Sequence, residues 1–447
     1  MIMPVSFQPR RPGANAELFS CFPQGPLGLR HGVAWRWWLI PAMGLATVNL
    51  ALAQEALQSS LAGDAAAEAR NLQLQSMAYT VKYGDFKLLV TPSLALNWND
   101  NITLVKDDPE SDFILSPLVA LDASYPIGTR NLLDLSVDFG YNKYVTYDQY
   151  SQWYLGSGSG LSFDVYVKDF WFNVHDRFQY TQDSAQESAV AGTGSYGTFQ
   201  NTAGLSGTWD LKKITLTLGY DHQNVQSLSS QYDQINSASE LLVAQAGLQV
   251  HPKVTIGVEG SASFMTYEET VLNNNQVYSA GIYGDLRPGH YFSVQPRFGY
   301  TIFDCSQTSS SVQGGNLNSW YAELTLKHQA TEFLNYTLSA GHEILPGVQS
   351  DAIQDTYVRP AVNWNLTRKV TLQTSGFFEH GDESAGQQAS WLEDNYNWYG
   401  GALSLSYSPA KKVRVSLNYR LTMRSSNESS NEYTQNQIGL QITYTPP

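Results

Sequence analysis

The chain reads as an all-β protein, a transmembrane antiparallel up-and-down β-barrel of about eighteen strands, with short periplasmic turns and longer extracellular loops. Three observations lead there. Only 15% of residues are charged while 13% are aromatic, with 27 Tyr, 18 Phe and 11 Trp, a surplus of amphipathic rings of the kind that collects at membrane interfaces. From Phe86 onward apolar and polar residues alternate in segments of about 9 to 14 residues, the period of a sheet with one greasy and one wet face. The turn residues between segments recur at about one long hairpin's spacing.

Other classes fall away on composition. A mean hydropathy of −0.28 and the absence of further long apolar runs after the N-terminal region exclude a bundle of membrane helices, each of which needs about 20 consecutive apolar residues. Net charge −14 and a pI near 5.0 argue against nucleic acid as a partner, because neutralising phosphates takes clustered Lys and Arg. The two cysteines, Cys21 and Cys305, permit neither a disulfide framework nor a thiolate metal cage once Cys21 is assigned to a removed leader.

That leader is residues 1–53. Trp37 to Ala53 form an apolar core preceded by Arg30, His31 and Arg36 and closing on Ala51-Leu52-Ala53, the pattern of a secretory signal cleaved after Ala53. Its removal takes four basic residues (Arg10, Arg11, Arg30, Arg36) and one acid (Glu17), leaving an exported chain more acidic still. Residues 54–85 begin with an Ala-, Gln- and Glu-rich stretch and are expected to be a periplasmic N-terminal leader or partial plug.

Residues 86–447 are expected to be the barrel. Alternation is clearest in Leu133-Asp134-Leu135-Ser136-Val137-Asp138-Phe139, and it recurs over Ile214–Tyr220, Val254–Glu259, Val413–Leu421 and Ile438–Tyr444. Tight turns near Gly128, Lys168, Leu211, Pro252, Pro288, Thr331, Arg368 and Ala410 lie about 36 to 43 residues apart. Between them fall Ser-, Asn-, Gln- and Asp-rich loops, for example around 182–197, 304–316, 344–355, 381–393 and 425–431. Strands are expected to begin near Phe86, Asp112, Asn131, Tyr154, Phe170, Gln200, Ile214, Asn236, Val254, Asn275, Tyr291, Ser319, Phe333, Asp355, Val370, Asp394, Val413 and Glu432. In hydrocarbon an unpaired backbone N–H or C=O costs several kcal/mol, so such a sheet has to close on itself. Near the C-terminus, Gln437, Gly439, Ile442 and Tyr444 resemble the insertion signal read by the outer-membrane barrel-assembly machinery, followed here by Thr445-Pro446-Pro447.

The first hairpin carries a further resemblance. Thr91-Pro92-Ser93-Leu94-Ala95-Leu96-Asn97-Trp98-Asn99-Asp100-Asn101-Ile102, a short acidic loop, and Ser111-Asp112-Phe113-Ile114-Leu115-Ser116-Pro117 are similar to the first hairpin of the β-barrel porins found with exopolysaccharide biosynthesis operons. The resemblance implies a Gram-negative outer-membrane pore passing polysaccharide or its fragments, in contact with outer-membrane lipid and lipopolysaccharide.

A catalytic or metal site does not emerge from the residues. His31, His175, His222, His251, His290, His328, His342 and His380 are scattered without the i, i+4 spacing of a zinc helix, and there is no G-x-S-x-G nucleophile elbow. Asp221 and His222 are neighbours on a strand and face opposite ways. Asn99, Asp100, Asn101, Asp107, Asp108, Glu110 and Asp112 supply hard oxygens suited to Ca²⁺, but the bland alternative of a solvated, turn-forming loop carries more weight. No cofactor is expected and the protein is read as not an enzyme. The wet-face charges Asp134, Asp138, His175, Arg177, Glu259, Arg297, Arg414, Arg420 and Arg424 are the candidate lumen residues; they either set a transverse field or pair and hold the wall. Trp98, Tyr141, Tyr144, Trp171, Tyr180, Tyr220, Trp398, Tyr399 and Tyr407 are expected in the interfacial girdles, with a sugar-stacking track inside the pore as their alternative role. The functional expectation is an outer-membrane channel for hydrophilic solutes; the alternative is a structural or adhesive barrel with a blocked pore, acting through its polar surface loops.

Overall fold

A computed structural model describes residues 79–445 apart from 129, 182–186, 195, 290, 307–315 and 384–393. The leader and most of the 54–85 segment therefore lie outside the described residues.

The described chain is a closed antiparallel sheet. Its strands are, in chain order, β1 (Val81–Tyr83), β2 (Phe86–Asn99), β3 (Asp112–Ile127), β4 (Asn131–Tyr144), β5 (Gln152–Leu155), β6 (Gly160–Val167) and β7 (Phe170–Thr181). They continue as β8 (Thr198–Asp210), β9 (Ile214–Ser227), β10 (Ser237–His251), β11 (Val254–Tyr267), β12 (Asn275–Leu286) and β13 (Phe292–Cys305). The last are β14 (Asn316–Gln329), β15 (Leu334–Pro346), β16 (Ala352–Asn365), β17 (Val370–Asp382), β18 (Asn395–Ala410), β19 (Val413–Ser426) and β20 (Tyr433–Tyr444). β5 and β6 both lie between β4 and β7 and form one interrupted stave. β1 is a short hairpin arm on β2. Eighteen staves remain, and the ring closes where Ser93–Asn99 of β2 pair with Gln437–Thr443 of β20.

Nine expected strand starts coincide with those observed: Phe86, Asp112, Asn131, Phe170, Ile214, Val254, Asn275, Val370 and Val413. Staves of about 14 residues at a rise of about 3.3 Å, tilted by about 45°, stand roughly 30 Å tall, enough for an outer-membrane belt. The tight turns gather at one rim. Lys168 (φ 55°) and Gly128 (φ 72°) adopt the left-handed backbone that short hairpin turns demand. The longer loops gather at the other rim.

Side chains sort by parity. Leu135, Val258, Ile282, Phe298, Leu417 and Leu440 point outward and are exposed, Ile282 at 60% and Leu417 at 52%. In water such a belt would forfeit about 25 cal/mol for every Å² left bare, so an apolar solvent around it stabilises the fold. The opposite parity is polar and buried: Asp134, His175, Ser206, Glu259, Arg297, Ser416 and Thr422 all face inward.

Two departures from regular ladders matter for the interior. Between β5 and β6 the segment Gly156–Ser159 leaves the wall, held by Gly156 N–H donating to the Asp138 carbonyl (2.8 Å) and Asp138 N–H donating to Ser159 Oγ (3.0 Å). The ladder between β14 and β15 stops at Ala322↔His342, although both strands continue toward the long-loop rim. Beyond that point β15 leans into the lumen, where Ile344 packs on Phe303, Cys305 and Ala352. The segment expected as a 344–355 loop is accordingly the paired tip of the β15–β16 hairpin, Ile344–Pro346 against Ala352–Gln354.

Candidate functional site: the barrel lumen

An interior space of about 740 Å³ lies against β2–β5, β7, the first residue of β8 and β15–β20. Its wall is built by inward parity: Asn97, Asn142, Gln179, Asn363, Gln437 and Gln441 supply amides, and Ser93, Ser116, Thr337, Ser404, Ser416 and Thr443 supply hydroxyls. Glu187, Arg414 and Arg420 are the charged residues lining it. Ile102, Leu104, Ile114 and Leu118 interrupt the polar lining, so the surface offers donors and acceptors beside apolar patches and without a dominant charge.

The wall of β11–β17 is different. The Arg297 guanidinium lies 3.1 Å from the Glu259 carboxylate, both side chains almost fully buried. Arg359 meets Glu379 at 2.8 Å and stacks over Tyr357, with 4.1 Å from Cζ to the ring centroid. Tyr321 donates its hydroxyl to Glu259 Oε1 across 2.9 Å, crossing β13 and β12 to do so. It can lie flat there because the positions beneath it are Gly299 and Gly281; a Cβ on Gly281 would overlap the Tyr321 hydroxyl and stand 2.6 Å from the Phe298 carbonyl oxygen.

Loops close over the long-loop rim. Ala189, Val190 and Tyr196 of the β7–β8 loop pack with Tyr232, Ile235, Val348 and Ile353. Leu104 of the β2–β3 loop packs with Phe377, Tyr396, Trp398 and Tyr433. Arg424 pins this arrangement: Nε donates to Ser188 O (2.7 Å), Nη1 to Asn431 O (2.9 Å) and Nη2 to Asp394 Oδ2 (2.7 Å). Two carboxyls are enclosed in the same region. Burial pushes Glu187 up to about 8, opposed by a hydrogen bond from the Ala189 backbone and reinforced by Glu379. Burial likewise pushes Glu383 up to about 8, with Asp394 adding to the rise and Arg424 opposing it.

The sequence-derived candidates fall into distinct environments. Asp134 is buried with one carboxylate oxygen lacking a hydrogen-bond partner. Asp138 sits over the Gly156–Ser159 interruption. His175 meets Asn173 Oδ1 through Nδ1 (2.8 Å) and Asp221 Oδ1 through Nε2 (2.9 Å). Asn173 donates Nδ2 to Asp164 Oδ1 (2.9 Å) and Ser162 Oγ (2.8 Å), so its own oxygen is the atom facing the ring. Both His175 nitrogens therefore face oxygen atoms of neighbouring side chains, which fixes the ring in the wall. Asp221 thus works with His175 of a different strand, while His222 faces outward and meets Glu240 at 2.9 Å.

Arg177 faces inward, half-buried, with a terminal nitrogen lacking a hydrogen-bond partner. Glu259 and Arg297 pair, Arg414 and Arg420 line the large cavity, and Arg424 anchors loops. Gln437 and Gly439 face the cavity, and Ile442 and Tyr444 are exposed on the outer surface. Among the aromatics, Trp171 and Trp398 are buried and Tyr144 lines the cavity, so these three are not girdle residues; Tyr220, Tyr399 and Tyr407 are exposed outside. Glu323, Glu343, Asp355, Arg359 and Glu379 were not singled out in the sequence. Continuing the parity of outward Tyr336 and Val358 through β15 and β16 turns Glu343, Asp355 and Arg359 inward. Among the described residues no three His, Cys, Asp or Glu side chains converge on a point that could hold a metal ion.

No family model and no curated protein matches the chain. Solved structures with a similar fold include a BenF-like porin from Pseudomonas fluorescens Pf-5, with 9% identity over 81% of this chain and 99% of that one and a TM-score of 0.49. Pseudomonas aeruginosa OccK2 (OpdF) in complex with glucuronate matches with 10% identity over 81% of this chain and 99% of that one, TM-score 0.47. Pseudomonas aeruginosa OccK5 (OpdH) matches with 11% identity over 80% and 98%, TM-score 0.46.

Proposed function

We propose that this barrel is a passive, non-enzymatic outer-membrane channel for hydrophilic solutes, with polyhydroxylated saccharides as its favoured cargo. The observation that carries the reading is the set of amides and hydroxyls that the cavity wall presents among apolar residues, with three charged side chains among the described residues. Neutral sugars exchange their hydration for such donors and acceptors at little net cost, whereas a strongly charged wall would favour ions. The first-hairpin resemblance to porins of exopolysaccharide operons points the same way. In this reading residues 1–53 direct export and are cleaved after Ala53, residues 54–85 stay on the periplasmic side, and the barrel-assembly machinery inserts the chain among lipopolysaccharide and lipid.

The apolar contacts that join loops over the long-loop rim favour a second reading, a barrel whose pore stays shut and whose loops make the contacts. Reconstitution separates the two. Purified, heat-modifiable protein in liposomes should admit neutral mono- and disaccharides and give discrete conductance steps in planar bilayers. A folded preparation that neither conducts nor admits sugar overturns the channel reading and leaves the blocked barrel.

A further inference from the structure

The β14–β15 departure leaves a recess of about 40 Å³ in the charged wall, lined by Glu259, Glu323, Glu343, Arg297, Tyr321 and Tyr357 among others. It exists because the ladder ends at Ala322↔His342 and β15 leans inward. At about 10 to 15 Å³ for each water, a space of that size holds about three.

Its charges do not cancel. Arg297 is engaged by Glu259 at 3.1 Å. Glu323 is half-buried and accepts a hydrogen bond from Thr325 Oγ1 at 3.0 Å. Glu343 is 7% exposed, and its Oε1 has no hydrogen-bond partner. A buried carboxylate oxygen with no protein donor leaves that hydrogen bond to whatever fills the recess, water or a ligand's donor group. The phenols of Tyr321 and Tyr357 add oxygen atoms to the same lining. Among the described residues the carboxylates do not converge closely enough for a bare metal ion. A protonated primary amine, with three N–H donors spread over a wider radius, matches the arrangement better.

We propose that this recess is a subsite for the ammonium group of an amino sugar, Glu343 and Glu323 accepting its hydrogen bonds. The inference rests on the channel reading and narrows its cargo.

The test is uptake into proteoliposomes at neutral pH of glucosamine, glucose and N-acetylglucosamine, three rings that differ at one substituent. Glucosamine should enter on the order of tenfold faster than the two neutral sugars, through local enrichment of a cation at an acidic wall, and the preference should shrink as salt is raised. In the Glu323→Gln and Glu343→Gln double variant glucosamine should fall to the glucose rate while glucose is unchanged. Heat-shifted gel mobility verifies that the variant barrel is formed. If it is not, the single change at the less buried Glu323, Glu323→Gln, is the substitute, with a partial loss of preference expected. Equal entry of the three sugars, or a preference that survives the substitutions in a folded barrel, overturns the subsite while leaving the channel intact. Entry of none overturns the channel itself.

Discussion

Replacing Arg424 by Met keeps an unbranched stem and removes the three bonds that tie three loops to the wall. The side chain is fully buried, donates to Ser188 O, Asn431 O and Asp394 Oδ2, and lies 4.2 Å from the centre of the Tyr396 ring. Breaking a buried ion pair from one side costs about 3 to 5 kcal/mol because the other charge is stranded. Here the stranded carboxylate keeps Ser426 Oγ (2.5 Å) and Asn431 Nδ2 (2.8 Å) as donors, which places the expected loss near the lower bound, about 3 kcal/mol. The β7–β8 loop itself is held through the Nε bond to Ser188 O, and a hydrogen bond to a charged group contributes about 1.5 to 3 kcal/mol. At 1.4 kcal/mol per tenfold, its docked-to-undocked ratio should therefore fall by about ten- to a hundredfold. Single-channel recording should show a larger or longer open state than the parent, and limited proteolysis should cut near residues 187–194 faster, while the barrel keeps its heat-shifted mobility. A folded Arg424→Met protein with parental conductance and parental loop cleavage would refute the reasoning that Arg424 holds the mouth.

Acidity should act on the same loops. Glu187 and Glu383, pushed up to about 8 by burial from an ordinary value of 4.5, bind protons more tightly when the loops are docked than when released. Docking is therefore unpenalised below about pH 4.5, weakens as pH rises toward 8 and changes little above it. Conductance recorded across that range should climb with pH in the parent and flatten in the Glu187→Gln, Glu383→Gln variant. Gly281→Ala should expel the Tyr321 ring, break its bond to Glu259 and cost about 1 to 3 kcal/mol as an overpacking substitution. In a double-mutant cycle with Tyr321→Ala, measured by denaturant unfolding in detergent, most of that loss should disappear; strict additivity would count against the packing account.

Much of the cylinder was legible because strand periodicity writes both faces into every stave. Leu133 to Tyr141 show which side is wet, and one parity count places Asp134, Asp138 and Arg297 inside. The misreadings have specific causes. Gly156-Ser157-Gly158-Ser159 interrupts a stave, and a strand start expected at Tyr154 is instead split between Gln152 and Gly160. Pro346, Gly347, Ser350 and Asp351 have the composition of a loop, yet the residues beside them pair because Ile344 and Ile353 find apolar partners in the lumen. Trp171, Tyr144 and Trp398 were placed by nearness to strand ends, where their parity would have turned them inward. Partnership is a different matter: Arg297 reaches Glu259 from two strands away, and His175 reaches Asp221 across Gly204. Those pairings depend on stagger between staves, which no single stave encodes.

The closing seam engages Ser93–Asn99 with Gln437–Thr443, whereas the β2–β3 seam beside it runs from Lys87 to Asn99. A ring joined this way has no privileged starting point. If β20 were linked back to β2 and the gene reopened at the Pro252–Lys253 turn, the permuted polypeptide would still have every strand neighbour it needs, while the staves would emerge in another order and the Gln437–Tyr444 segment would no longer stand near the chain's end.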